Sequence, residues 1–193
     1  VINAKRVYKI GDRIIVKGLK GDVVDITAFH TVLREFGRDL SGDDPTGVLV
    51  SIPNNIILTE AVYNYTQEFP FIWDEVTISV TYESNFHKAK ELFKNACLDV
   101  LGDSMDKAAT RMRFYLKNTP QEDALSNEPI IYTAFSASSI DFTIRYIVDV
   151  RRRRKMRSEV TYRLLEVINH PGNEDVEVAY PHTQLVLPKD FNN

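Results

Sequence analysis

Short runs of aliphatic and β-branched residues, each followed by turn residues, dominate the first third of the chain. The runs lie at residues 13–17, 22–26, 32–34 and 48–52. Glycines and aspartates separate them at residues 18–21 and 36–47. Short strands at this spacing are typical of a small antiparallel barrel or sandwich, and we predict a small Sm-like β-barrel here.

The last strands of this barrel are predicted around a proline. Pro53 has no amide hydrogen to donate to a strand ladder, so the fourth strand should end beside it. Residues 56–58 and 61–65 have the composition of further short strands, and no helix is predicted before about residue 60. The pattern changes after Pro70, where we predict a domain boundary.

From Trp73 the predicted order becomes strand, helix, strand, strand, helix, strand. The strands are residues 75–82, 130–135, 141–150 and 176–178, and the second helix is 158–168. Ser84 or Asn85 can cap the first helix, whose apolar side chains recur every three or four residues. These side chains are Phe86, Ala89, Leu92, Phe93, Ala96, Cys97, Val100 and Leu101. The βαββαβ order predicts a ferredoxin-like layer of two helices on a sheet.

Two stretches are longer than the predicted strands and helices require. Residues 103–129 are too long for a simple connection, and apolar residues at helical spacing predict an extra helix there. Residues 36–47 should form an extended, exposed hairpin tip. The predicted fold class is therefore α+β, with a β domain at 1–70, a ferredoxin-like domain at 71–182, and a C-terminal strand and tail at 183–193.

Composition is that of an ordinary globular chain. Of the 193 residues, 44% are hydrophobic and 26% are charged. The longest apolar runs are far shorter than the roughly 20 residues that span a bilayer. The single cysteine, Cys97, excludes an internal disulfide and fits a reducing compartment. The start at Val1, without a methionine or a signal-like region, suggests a fragment.

Charge is unevenly spread along the chain. Residues 1–20 hold six basic residues and one acidic residue, a net +5, so the rest must carry −8 to give the overall −3. Such a basic segment could contact nucleic-acid phosphates or anionic lipid headgroups, or it could be a solvated face. The pattern alone leaves these three interpretations open.

Motifs for enzyme chemistry are missing from the sequence. The four histidines are scattered, no G-x-S-x-G, G-x-G-x-x-G or Walker loop occurs, and Cys97 lies on the apolar face of its helix. Asp39, Asp43 and Asp44 lack the spacing and the closing glutamate of an EF-hand. We predict no enzymatic activity, no catalytic residue, no metal and no cofactor.

The Gly18-Leu19-Lys20-Gly21 stretch resembles the phosphate-gripping loop of KH domains. That loop joins two helices, whereas this one joins two predicted strands, where glycines permit the positive φ of a short hairpin. A role without nucleic acid is therefore preferred. An RNA-binding protein or a scaffold protein with the same two domains is kept as the alternative.

Six stretches, in order, resemble one known family. They are "YKIGDRIIVKGLKGDVVDI" at 8–26, "TVLRE" at 31–35, "VSIPNN" at 50–55, "YNYT" at 63–66, "FSASSIDFTIRYIV" at 135–148 and "AYPHTQLVL" at 179–187. Together they are similar to the small-conductance mechanosensitive channel (MscS) family, apart from the long tip at 36–47. The resemblance implies a homo-oligomeric, usually heptameric, channel in the cell membrane. Such a channel opens under membrane tension and releases ions and small solutes during osmotic downshock.

The same resemblance suggests where this chain would lie and which residues matter. Residues 1–7 would be the end of the pore helix, and the remainder would form the cytoplasmic vestibule. Arg6 and Lys9 occupy positions that are also basic in the best-known family members, next to the lipid headgroups. Candidates for charge at the chamber wall or portals are Arg151, Arg152, Arg153 and Arg154. Because cations are disfavoured in the first turn of a helix, we predict this run in the connection before Ser158.

Overall fold

A computed structural model of the chain describes residues 7–37 and 43–180, which form two antiparallel sheets. The first sheet with its short helix, here called the β unit, contains β1 (Arg13–Val16), β2 (Leu19–Ile26), β3 (His30–Phe36), β4 (Pro45–Pro53), α1 (Ile56–Thr59) and β5 (Val62–Asn64). The second, here called the α+β unit, contains β6 (Phe71–Val80), α2 (Phe86–Leu116), β7 (Ile130–Phe135), β8 (Ile140–Asp149) and α3 (Arg153–Ile168). The predicted α+β fold class is confirmed.

The hairpin between β1 and β2 explains the glycines that resembled a phosphate loop. Val16 pairs with Leu19, so Lys17 and Gly18 form a two-residue turn with φ of 50° and 79°. Positive φ at both positions matches the right-handed twist of the flanking strands. Gly21 has another purpose: a Cβ there would lie 2.6 Å from the Leu33 Cβ on β3. The prediction of a hairpin was right, but only one of the two glycines serves the turn.

The β unit has the strand order β4-β3-β2-β1-β5, with β4 and β5 at its edges. Its buried cluster consists of Tyr8, Ile14, Val16, Val23, Leu33 and Ile52. The predicted strand at 56–58 is wrong, because these residues begin α1. Consecutive side chains of a strand point to opposite faces. A helical turn instead allows Ile56 and Ile57 to pack on the same cluster.

The α+β unit has the strand order β6-β8-β7, and a bridge between Val80 and Val178 adds the later extended segment beside β6. Helices α2 and α3 pack on one face of this sheet, which presents Phe142, Ile144 and Tyr146, all almost fully buried. The element order agrees with the predicted βαββαβ sequence up to α3, and the last predicted strand at 176–178 is represented by this single bridge. The predicted C-terminal strand at 184–187 lies outside the described residues.

The span Phe86–Leu116 of α2 contains the two helices that were predicted here, joined by a kink. The Asn85 side chain caps the first of them by accepting a hydrogen bond from the Lys88 backbone N–H at 3.1 Å. Gly102 has a non-helical backbone (φ 43°, ψ −138°) that divides this range into two helices, so the extra helix predicted within 103–129 follows the first one directly across a kink. The predicted helical spacing there is correct, because Met105, Ala108, Ala109 and Met112 are all buried.

Candidate functional site

The predicted arginine run lies where the β unit meets the α+β unit. β8 ends at Asp149, and the next residue, Val150, donates its N–H to the Pro70 carbonyl at 2.9 Å. The Val150 carbonyl in turn accepts a hydrogen bond from Arg13 of β1 at 3.4 Å. The four arginines that follow therefore emerge beside the first strand of the β unit.

The predicted position was right for Arg151 and Arg152, which precede α3, and wrong for Arg153 and Arg154, since α3 begins at Arg153 and not at Ser158. Arg153 donates to both carboxylate oxygens of Asp43, at 2.6 and 2.9 Å, and Arg154 donates to Asp44 at 2.6 Å. Cations in a first helical turn face the positive end of the helix dipole. Here two carboxylates from the start of β4 offset that repulsion, and the sequence pattern did not indicate them.

Arg151 reaches the β unit at a different point. Its Nη2 donates to the Gly11 carbonyl at 2.5 Å and lies 3.6 Å from a carboxylate oxygen of Asp22. Arg152 is exposed and forms no ion pair with any residue in 7–37 or 43–180. Three of the four arginines therefore connect the two units, and one does not.

Arg13 completes this group and was not predicted as a site residue. Its side chain is 4% exposed and donates from Nε and Nη2 to the two oxygens of Asp22, at 2.9 and 2.8 Å. Its guanidinium also lies 4.1 Å from the centre of the Phe36 ring. The turn predicted at 18–21 did not indicate this pair, whereas the observed turn at Lys17 and Gly18 places Arg13 directly opposite Asp22.

We call these seven side chains the junction cluster. Its members are Arg13, Asp22, Asp43, Asp44, Arg151, Arg153 and Arg154. Four guanidinium groups face three carboxylates, and every member is engaged by a partner of opposite charge. Such an arrangement holds elements in place; it supplies neither a nucleophile nor a general base.

Lys9, the other described candidate, lies in the turn that leads to β1. Its backbone N–H donates to Asp12 Oδ2 at 3.0 Å, and its side chain is exposed. Val7 and Ile10 beside it are also exposed, and together with Ile26 they line a shallow apolar surface. Lys9 therefore places a positively charged ammonium group beside an apolar surface. Its companion Arg6 lies outside the described residues.

A second charged group ties α3 to the sheet. Asp74 of β6 is buried, and its carboxylate accepts hydrogen bonds from Tyr146 Oη at 2.9 Å and from Arg157 Nε at 3.0 Å. Burial, reinforced by the adjacent Asp74 carboxylate, raises the pKa of Tyr146 well above its ordinary value. The hydrogen bond that Arg157 donates to Asp74 raises the pKa of Arg157. The role of this group is to fix the position of α3.

The described residues include no helix with the length and apolar character needed to cross a bilayer. Two family models match the chain in sequence order. The model described as "Mechanosensitive ion channel, beta-domain" matches residues 1–67. The model described as "Mechanosensitive ion channel MscS, C-terminal" matches residues 74–174.

Individual relatives agree with these models. An uncharacterized MscS family protein of Archaeoglobus fulgidus is 21% identical over 179 residues, which is 92% of this chain and 52% of that protein. The chain thus spans about half the length of this curated relative. The crystal structure of Helicobacter pylori MscS in its closed state has a TM-score of 0.65 at 22% identity, covering 95% of this chain and 60% of that one. Arabidopsis thaliana MSL1 has a TM-score of 0.54 at 14% identity, covering 91% and 54%.

Proposed function

The chain belongs to the MscS family of mechanosensitive ion channels, and we propose that it forms the cytoplasmic vestibule of a tension-gated, homo-oligomeric channel in the cell membrane. The observation that carries the proposal is the succession, in one chain, of the family's β-domain and its C-terminal domain. The family is one of channels rather than enzymes. This supports a role in passing ions and small solutes and not in chemical catalysis.

In this proposal residues 1–70 are the β domain, with 1–7 as the end of a pore helix. Residues 71–182 are the ferredoxin-like domain, and 183–193 form a closing strand. Seven copies would place their β domains in a ring beneath the pore and enclose a chamber below it. Membrane tension does work only through a difference in in-plane area between two states. That difference would arise in membrane segments that precede this chain.

Lys9 and Arg6 would face the lipid headgroups. The exposed Val7 and Ile10 beside Lys9 support this placement, because an apolar surface with a cationic head suits the membrane boundary. Each such charge contributes about 1 kcal/mol on an anionic leaflet. Replacing Arg6 and Lys9 with glutamate should change insertion, assembly or the tension threshold. Lys90→Glu, on the exposed side of α2, is the control. Gating identical to wild type in the double variant would contradict the placement.

The arginine run would contribute to the charge at the chamber wall. Since Arg151, Arg153 and Arg154 are paired with carboxylates, and Arg152 has no ion-pair partner among residues 7–37 and 43–180, Arg152 is the residue that we assign to permeating anions. Arg152→Glu in the assembled channel should shift the reversal potential under a salt gradient toward cation preference. An unchanged reversal potential would remove Arg152 from this role.

The direct test of the whole proposal is a chimeric channel. This chain would replace the corresponding portion of Helicobacter pylori MscS, and membrane patches would be stretched while current is recorded. We expect channels that open under tension and cells that survive osmotic downshock. Parallel blue-native gels and membrane fractionation would show whether the chimera inserts and assembles. A chimera that inserts and assembles but passes no current up to patch rupture would refute the vestibule role.

A further inference from the structure

We propose that the junction cluster is an ionic latch that sets the orientation of the β unit relative to the α+β unit and loosens as ionic strength rises. Nothing in the family assignment requires it. It depends on two features of this chain, which are Asp43 and Asp44 within the long segment at 36–47 and the arginines at the start of α3.

Ion pairs and hydrogen bonds cross from one unit to the other. In the part of the chain that the structure describes, the hydrophobic cluster of the β unit and that of the α+β unit share no residue. The polar contacts that join them are those of Arg13 with the Val150 carbonyl, of Arg153 with Asp43, of Arg154 with Asp44, and of Arg151 with Gly11 and Asp22. Apolar packing is insensitive to moderate salt, whereas exposed ion pairs are screened by it. The orientation should therefore depend on salt.

These ion pairs differ in how exposed their side chains are, and therefore in how strongly salt should weaken them. Arg13 and Asp22 are 4% and 23% exposed, so this pair belongs to the interior of the β unit. The pairs that cross the junction are more exposed, at 37% and 15% for Arg153 with Asp43 and at 47% and 59% for Arg154 with Asp44. Dissolved ions compete best for the exposed pairs. The pair inside the β unit should persist while the crossing pairs separate.

The latch also reaches the turn that carries Lys9 and Ile10. Gly11, whose carbonyl accepts the hydrogen bond from Arg151, comes directly after Ile10 and has a φ of 92°. Its N–H donates to the Val23 carbonyl of β2 at 2.8 Å, so this turn is held from both sides. A change at the start of α3 is thereby transmitted to the surface that we assign to the membrane.

The physiological consequence rests on the proposed function. Osmotic downshock dilutes the cytoplasm and lowers its ionic strength, which strengthens the crossing pairs at the moment when the channel would open. Between about 0.1 M and about 1 M salt the Debye length falls from about 10 Å to about 3 Å. The latch would therefore fix the vestibule in dilute cytoplasm and release it in concentrated cytoplasm.

The test measures the distance between the two units in this chain. Spin labels are attached at Thr59→Cys of α1 and Glu91→Cys of α2, both exposed positions, while the native Cys97 is buried. Pulsed electron paramagnetic resonance then gives the distribution of distances between the two labels at about 0.1 M and about 1 M KCl. A third sample contains sucrose at the osmolality of the more concentrated KCl solution. The latch variant is Asp43→Asn with Asp44→Asn. The control is Asp99→Asn, which removes a similar carboxylate from Arg163 within the α+β unit.

We expect the wild-type distribution to be narrow at low KCl and about twofold wider at high KCl, with no widening in sucrose. The double variant should have a wide distance distribution under every condition, and the control should have the same distributions as the wild type. Three results would refute the latch. The double variant could have a distance distribution as narrow as that of the wild type at low KCl. The wild-type distribution could be unchanged by KCl, or it could widen equally in sucrose. Because the chimera reports current and the labels report distance, either proposal can fail while the other stands.

Discussion

Replacing Arg13 with methionine should destabilise the β unit by about 2–4 kcal/mol. Methionine preserves most of the aliphatic stem but removes the guanidinium, which donates to both oxygens of Asp22 and lies over the Phe36 ring. Hydrogen bonds that involve charged groups contribute about 1.5–3 kcal/mol each. The two bonds do not add fully, because Asp22 is 23% exposed and regains water, and Arg151 stays 3.6 Å away.

Urea unfolding followed by two signals would localise this effect. The chain has one tryptophan, Trp73, which lies in the α+β unit, while far-ultraviolet circular dichroism reports on both units. We expect the Arg13→Met transition seen by circular dichroism to broaden or split, with the fluorescence midpoint shifted less. Arg13→Lys retains the charge without the planar fork and should lose about half as much stability.

The matched control lies at the other end of β1. Lys17→Met removes an ion pair whose Nζ lies 3.8 Å from Glu60 and whose lysine side chain is 68% exposed. Its cost should be below about 0.5 kcal/mol. The bidentate pair does not stabilise the unit as argued if the unfolding free energy of Arg13→Met lies within about 0.5 kcal/mol of the wild-type value. The same follows if Arg13→Lys has the unfolding free energy of the wild type.

Three further outcomes follow from the packing and the charges. Leu164→Ala should leave a cavity between α3 and the sheet and lower the urea-unfolding free energy by about 3–5 kcal/mol; a loss below about 1 kcal/mol would mean that the site collapses to fill it. Burial raises the pKa of Cys97 to about 12, so at pH 8 a disulfide reagent should react with this thiol only as fast as the protein unfolds, and rapid labelling of folded protein would contradict this. The hydrogen bond from Lys88 lowers the pKa of Asp175 below 3.8, so the stability that it contributes is present above about pH 3.8 and disappears as the pH falls through the lower folded-state value. A nuclear magnetic resonance titration should find this pKa raised in Lys88→Gln, and an unchanged value would show that Lys88 is not the cause.

The kink in α2 shows what hydrophobic periodicity can and cannot predict about a helix. The spacing of Met105, Ala108 and Met112 predicted a helix, and these side chains are buried as expected. Periodicity could not show that this helix follows the preceding one with only a kink between them, because the kink depends on the backbone of a single glycine with φ of 43°. The two helices were predictable here, and the one-residue connection between them was not.

Sequence by itself determined the order of strands and helices apart from α1, a helix cap at Ser84 or Asn85, the hairpin between β1 and β2, and the family. These features depend on residues within one or two turns of each other, or on short ordered segments, so they can be read directly from the chain. Tertiary structure alone decided the role of the arginine run. Asp43 and Arg153 are 110 positions apart, and no local pattern relates them. Only the placement of one sheet beside the other brings the carboxylates to the start of α3, which turns a predicted loop of free cations into an ion-paired helix terminus.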